Sequence, residues 1–223
     1  MNMGNVVRMA EEVNGRRGYT APQRRAQALA TRRAVLLSAQ ALFAERGYVA
    51  TTMADIARAA DVAVDTVYAT VGPKPVVLRE LVETALSGLD VAVPAEERDY
   101  VQQIRAASTA VDKLRIYALA LVDTNTRVGP VHLVLREASR TDAACASLRQ
   151  EIAGRRASNM LILAKELRLT GEVRADLSDQ QVADILWSTN AAEFWTVLVD
   201  GRGWTPQQVG DWLADAWVRL LLC

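Results

Sequence analysis

An all-α fold follows from three observations on the sequence. Long Ala-, Leu-, Arg- and Glu-rich segments are separated by isolated Gly and Pro, which is helix composition with helix punctuation. No stretch alternates apolar and polar residues long enough to build a sheet. Helix-start signatures recur at Thr52 with Asp55, Thr109 with Asp112, Ser178 with Gln181, and Thr205-Pro206 with Gln208. Because 51% of the 223 residues are hydrophobic, the chain can bury a core large enough to offset its conformational entropy, and low-complexity disorder is excluded. No internal repeat at a solenoid period is present.

The elements are expected in the following order. Residues 1–21, with Gly4, Gly15 and Gly18 and no amphipathic pattern, read as a flexible arm. A first helix is expected over 22–46, with Leu29, Ala34, Leu37, Ala41 and Phe43 supplying much of its buried side and Gly47 ending it. The Thr52 cap opens a short helix running through Ala60. Asp61-Val62-Ala63 makes a tight connection, and a second short helix covers 64–70. Gly72-Pro73 breaks the chain and starts a longer helix over 74–89.

The stretch 91–97 is the best candidate for a domain joint. Beyond it, helices are expected over 96–107, 109–126, 129–139, 142–170, 178–200 and 205–222, with Gly171 and Gly201 as stop signals. The last carries one continuous apolar stripe: Val209, Trp212, Leu213, Ala216, Trp217, Leu220 and Leu221. The domains are thus 1–21, an arm; 22–73, a helix-turn-helix unit; and 74–223, a helical domain entered through the connecting helix 74–89.

Charge and chemistry narrow the function. Lys plus Arg and Asp plus Glu both number 26, so there is no polybasic coat and any nucleic-acid binding must be local. Residues 1–92 hold eleven basic and nine acidic groups, a small polarity of the sign that DNA binding needs. The two cysteines, Cys145 and Cys223, form no C-x-x-C pair, so no structural zinc and no disulfide scaffold are expected. No apolar run spans a bilayer and the start lacks a signal-peptide pattern, which points to a cytoplasmic protein. With one His, no Gly-rich phosphate loop, no G-x-S-x-G, no H-E-x-x-H and no acidic cluster at metal spacing, an enzyme is not expected, nor is a cofactor or metal. Cys145 in DAACASL reads as a small apolar filler.

Residues 52–71, TMADIARAADVAVDTVYATV, spell a helix-turn-helix. Ile56, Ala57 and Ala60 form the buried face of its first helix, with Ala57 small where two helices cross. Val62 anchors the turn, and Val67 packs the second helix back. Asp65, Thr66, Tyr68, Ala69 and Thr70 are left facing outward, and such short polar and methyl-bearing groups suit base edges, thymine methyls and phosphates in a major groove.

The segment 34–81 resembles the N-terminal DNA-binding domain of the tetracycline-repressor (TetR) family of bacterial regulators. The marks of the resemblance are Phe43 to Gly47-Tyr48, the Thr51-Thr52 pair, Ile56-Ala57, and Thr66-Val67-Tyr68 followed six residues later by Lys74. Departures are Asp61 at the turn position the family fills with Gly, Ala63 for its cap Ser, Asp65 for a Gly, and Thr70-Val71 for an aromatic pair. Asp65 is a candidate to take over the capping role.

The resemblance implies a homodimer that binds palindromic operator DNA and is released by a small-molecule effector. Thr51, Thr52, Asp65, Thr66, Tyr68, Ala69, Thr70 and Lys74 are the candidate DNA contacts. Thr52's amide and hydroxyl form a phosphate seat at a helix N-terminus, and Tyr68 and Lys74 stand where the family meets phosphate. Arg16, Arg17, Arg24 and Arg25 extend this set from the arm. The implied effector pocket is lined by Tyr117, Leu121, Asn125, His132, Leu135, Met160, Asn190 and Phe194, with His132 read as a core or pocket-edge residue. The implied dimer interface draws on Trp187, Trp195, Val209, Trp212, Leu213, Ala216, Trp217 and Leu220.

An activator or ligand-independent regulator of the same fold is one alternative. A helical protein-interaction module, whose partner binding would be insensitive to salt, is another.

Overall fold

A computed structural model describes residues 21–89 and 93–223, so the expected arm up to residue 20 lies outside the described residues, as does the start of the joint at 91–97. Ten α-helices account for nearly all of the described chain, and no strand longer than a single bridge occurs among these residues. The helices are α1 (Ala21–Ala50), α2 (Met53–Ala59), α3 (Val64–Thr70), α4 (Lys74–Ser87), α5 (Asp99–Ala106), α6 (Ala110–Ala138), α7 (Ala143–Arg168), α8 (Asp179–Thr189), α9 (Ala192–Arg202) and α10 (Pro206–Leu221). All four expected helix starts are capped by the side chains of Thr52, Thr109, Ser178 and Thr205, each accepting from the backbone N–H three residues on.

The first core lies between α1, α2, α3 and α4. Its α1 face is Val35, Leu36, Ala39, Leu42 and Phe43. This corrects the expected face. Phe43 belongs to it, but Leu29 is 55% and Leu37 56% exposed, Ala41 is exposed, and Ala34 is half-buried. Residues 22–30 are exposed all round, and the elements that cover the rest of α1 sit on the side rotated toward Val35 and Leu36. Gly47, at φ 79°, ends the regular part of α1 as expected and lets Tyr48 turn into this core.

Two helix boundaries differ from those expected. Gly129-Pro130 does not separate two helices: α6 runs straight through it. A proline inside a helix removes one N–H rung, but buried side chains hold both flanks. Ala110, Leu114, Ala118 and Leu121 lie in a second core, whereas Val131, Leu135 and Ala138 join the first. Conversely, the single helix expected over 178–200 divides into α8 and α9 at Asn190, whose buried amide donates to the Tyr117 hydroxyl and the Met160 sulfur. Gly203, at φ 70°, ends α9, and Gly201 lies inside it.

The second core is closed by α10 against α6. Gly210 permits the close approach, since a Cβ there would lie 2.5 Å from Cγ2 of Val122. Val209, Leu213, Trp217 and Leu221 point inward, and the Trp217 ring stacks on Tyr117 at 5.5 Å while its indole N–H donates to Thr189 at 2.8 Å. The dimer-interface expectation is corrected for four residues: Val209, Leu213, Trp217 and Trp195 are buried within one subunit. The α10 stripe is wide because it wraps past that core, leaving Trp212 39% and Leu220 46% exposed and Ala216 half-buried. Among the described residues no helix is long and apolar enough to cross a membrane.

Candidate functional site

The helix-turn-helix is built by α2 and α3. Ile56, Ala57 and Val67 are buried between them and α1. The turn is closed by the Val62 N–H donating to the Ala57 carbonyl at 3.0 Å. Asp61 takes φ 55°, a left-handed conformation that glycine adopts most readily. Aspartate tolerates the left-handed region better than most residues, which is why the substitution preserves the turn. Asp65, Tyr68 and Ala69 are exposed, Thr66 and Thr70 half-buried, so these five residues form an accessible face on α3. No side chain caps α3, so Asp65 does not take over the missing serine's hydrogen bond. Arg24 and Arg25 are exposed on the first turns of α1. Arg16 and Arg17 lie outside the described residues.

Three other expected DNA contacts are committed to the protein itself. Thr51 is fully buried, its hydroxyl donating to the Gly47 and Leu42 carbonyls at 2.9 and 3.3 Å, so it locks the end of α1 and presents nothing to a duplex. The Lys74 ammonium donates to the carbonyls of Tyr48 and Thr51 at 2.7 and 2.8 Å and stands 4.2 Å above the Tyr48 ring. It fastens the start of α4 beneath the α1–α2 corner, and burial draws its pKa down.

The phosphate seat at Thr52 is occupied by Asp55. That carboxylate accepts from the Thr52 N–H at 3.0 Å and from its hydroxyl at 2.6 Å. These hydrogen bonds, with a further one from Arg58, hold the Asp55 carboxyl down at about 2. A phosphate at this helix start would have to displace an internal anion.

A second cluster ties this unit to the larger domain. Tyr48 donates its hydroxyl proton to Asp142 at 2.9 Å, and Asp142 caps α7 by accepting from the N–H groups of Ala144 and Cys145. Burial, and then the Cys145 and Asp142 neighbours, push the Tyr48 hydroxyl pKa up. Cys145 is fully buried beside them, in the filler role read from the sequence.

A cavity of about 1040 Å³ opens between α4, α5, α6, α7, α8 and α9. Tyr117, Leu121, Asn125, His132, Leu135, Met160 and Asn190 all line it, so seven of the eight residues expected at a pocket are brought together. Phe194 is not among them. It is half-buried against the second core and stacks on Trp212 at 5.5 Å, with Trp204 edge-on to the same indole at 6.3 Å. Trp187 lines the cavity as well, with 36% of its surface exposed, rather than a closed helix interface.

The cavity wall combines apolar area with a few polar groups of differing status. His132 Nε2 meets Glu193 at 3.0 Å. Burial works to raise the Glu193 carboxyl, but the His132 hydrogen bond and its own backbone hold it below the ordinary range. Glu83 of α4 accepts from Arg155 of α7 at 2.6 Å. The Asn190 amide oxygen is buried without a hydrogen-bond partner. Asn125 is buried, and its amide makes no hydrogen bond among the described residues. Arg156 lies over the Trp187 ring at 4.5 Å and donates one N–H to the Trp187 carbonyl at 2.7 Å, and its Nε is buried without a partner.

Sequence reasoning missed Arg156. It stands in the unremarkable run GRRAS, and only the fold brings those two arginines to the cavity wall and half-buries the second.

Residues 35–70, from the middle of α1 through α3, match the family model for bacterial regulatory proteins of the tetR family. Over this segment the chain is similar to the tetR family. No curated protein matches the sequence. Solved structures of similar fold include SmeT in complex with triclosan, 19% identical over 87% of this chain and 92% of that one, with a TM-score of 0.68. NalD of Pseudomonas aeruginosa, the secondary repressor of the MexAB-OprM multidrug efflux pump, is 20% identical over 87% and 98% of the two chains, with a TM-score of 0.66. A transcriptional regulator from Saccharomonospora viridis in complex with choline is 19% identical over 86% and 97%, with a TM-score of 0.63.

At these identities the likeness establishes the architecture: N-terminal helix-turn-helix, C-terminal helical domain. The chain has the helix-turn-helix of α1 to α3, and Asp61, Ala63 and Asp65, where it departs from the family's pattern, fall on the turn and at the start of α3.

Proposed function

We propose that this tetR-family regulator is a repressor that binds a palindromic operator as a homodimer and lets go when a small molecule fills the cavity. One observation carries the reading. The helix α4, whose start Lys74 fastens under the helix-turn-helix, contributes Glu83 and Leu86 to the cavity wall. A ligand there touches the element that sets where α3 sits. A ligand that favours one tilt of α4 shifts the population toward that tilt, by no more than its difference in affinity for the two states.

DNA contact falls to the outward groups of α3, Asp65, Thr66, Tyr68, Ala69 and Thr70, with Arg24 and Arg25 reaching the backbone alongside. Asp65 enters this set as a modulator, because its charge opposes any phosphate close by. One seven-residue helix reads only a few base pairs, so two copies related by a two-fold axis are required for operator specificity. The second subunit is assigned to the surface bearing Phe194, Val197, Trp212 and Leu220. Val197 is 62% exposed, and this aromatic and aliphatic patch is the apolar surface that remains on α9 and α10 once the core is closed.

Binding to duplexes from the protein's own upstream region, measured by fluorescence anisotropy across a salt series, tests the reading. Affinity is expected to fall steeply with salt as phosphates are neutralised. Tyr68→Phe is expected to weaken all duplexes alike by about fivefold, the worth of one hydrogen bond, whereas Thr66→Ala changes preference among sequences. Intact affinity in both variants would overturn the contact assignment. A subunit that stays single in sedimentation and ignores every upstream fragment would overturn the function.

A further inference from the structure

The cavity wall carries a half-buried guanidinium that no carboxylate among the described residues bonds. Arg155 is paired with Glu83, and His132 with Glu193. Arg156, next along α7, is half-buried, and no carboxylate among the described residues comes within ion-pair distance of it, Glu193 acting on it only from further off. Its contacts are one carbonyl, that of Trp187, and the face of the Trp187 ring, and its Nε–H is shut away from water without an acceptor. A guanidinium donates in a planar fork, two of whose N–H groups match the two oxygens of one carboxylate.

The surroundings say what that anion is attached to. Tyr100 and Tyr117 line the same cavity with their rings stacked at 6.3 Å, and Trp187 stands beneath the guanidinium. Flat aromatic walls bury flat apolar bodies well. The Asn190 amide oxygen is a second buried polar atom without a partner, in position to meet a polar substituent on that body. The volume of about 1040 Å³ holds a molecule of two or three fused rings.

We propose that the effector is an aromatic carboxylate, its anionic oxygens supplying the partner that Arg156 lacks and its ring system lying among Tyr100, Tyr117 and Trp187. The proposal rests on the cavity being the effector site and goes beyond it by fixing the ligand's charge. It disfavours lipophilic cations, because Glu83 is bonded by Arg155 and Glu193 is bonded by His132 and lies in the field of Arg156, which leaves only the exposed Glu96 of the lining carboxylates without an ion pair among the described residues.

The full-length protein is titrated by calorimetry with three probes of one shape: 2-naphthoate, 2-naphthamide and 2-naphthylmethylammonium. Naphthoate is expected to bind roughly tenfold or more tightly than the neutral amide, as a charge-assisted contact requires, and the ammonium most weakly. Arg156→Gln is expected to abolish the preference for naphthoate, whereas Arg156→Lys, which keeps the charge but not the planar fork, retains part of it. Circular dichroism melts establish that both variants fold.

Equal binding of amide and acid, tighter binding of the ammonium, or an unchanged preference in Arg156→Gln would overturn the proposal and leave the cavity as a ligand site of another class. Binding by none of the three would overturn it too. The proposed function fails by a separate observation, the absence of duplex binding by the ligand-free protein.

Discussion

The polar groups of the helix-turn-helix unit and those of the cavity are in opposite states. Around the α1–α2 corner, Thr51, Thr52 and Lys74 are engaged by the chain: the Thr51 hydroxyl on carbonyls, the Lys74 ammonium on two carbonyls, the Thr52 hydroxyl and N–H on the Asp55 carboxylate. Around the cavity, Asn125, Asn190 and Arg156 are buried or half-buried with hydrogen-bonding capacity left over. A buried polar group without a partner costs stability, so the first set secures a scaffold and the second is held at a cost that a ligand would offset. Polar residues that look alike in sequence thus serve rigidity in one place and reception in the other.

The contrast can be broken most directly at Lys74. Lys74→Met leaves two carbonyls without their donor and is expected to cost about 2 kcal/mol, read as a drop of roughly 4–8 °C in Tm. An unchanged Tm together with weakened duplex binding would return Lys74 to the DNA face. Thr52→Ala removes a helix cap and is expected to cost about 1 kcal/mol in the same melt. A loss of duplex affinity larger than that of stability would show that the seat accepts phosphate after all.

On the other side of the contrast, Asn125→Leu replaces an unpartnered amide by an apolar group of similar size. Stability is expected to rise by up to about 1 kcal/mol while ligand affinity changes, and a marked fall in Tm would mean that the amide has structural work.

The smallest effect is the pH response of Asp55. Its folded pKa of about 2 lies below the ordinary 3.8, so its contribution is present above about pH 4 and is lost as pH falls through about 2. The gap between melts of the wild type and Asp55→Asn should therefore narrow steadily from pH 5 to pH 2, and a gap of constant size across that range would contradict the assignment.

Much of the fold was legible because local chemistry decides it. Thr52, Thr109, Ser178 and Thr205 start helices wherever they are followed by a partner three residues on, and Gly47 stops one. What escaped was set by tertiary contact. Gly129-Pro130 reads as a break, but the flanking turns of α6 are anchored in two separate cores and the helix continues. Leu29 and Leu37 read as core until the covering helices are seen to lie around the other side of α1.

The α10 stripe gave the right residues and the wrong neighbour. Periodicity reveals that Val209, Leu213 and Trp217 are to be covered, and only Gly210 against Val122 shows that α6 of the same subunit covers them. In the site, Tyr117, Asn125, His132 and Asn190, expected at a pocket from the family resemblance, do converge. Arg156 was not expected there, since an arginine beside another arginine on a helix carries no sign of burial.

The first core draws Val131, Leu135 and Ala138 from the far end of α6, and Cys145 and Leu148 from α7. Cutting the polypeptide after residue 89 would strip these from beside Val77 and Leu78 and leave an oily wound where the reading head met its support. The head is accordingly no detachable cassette: to graft it onto another sensor, the tail of α6 and the opening turns of α7 must travel with it.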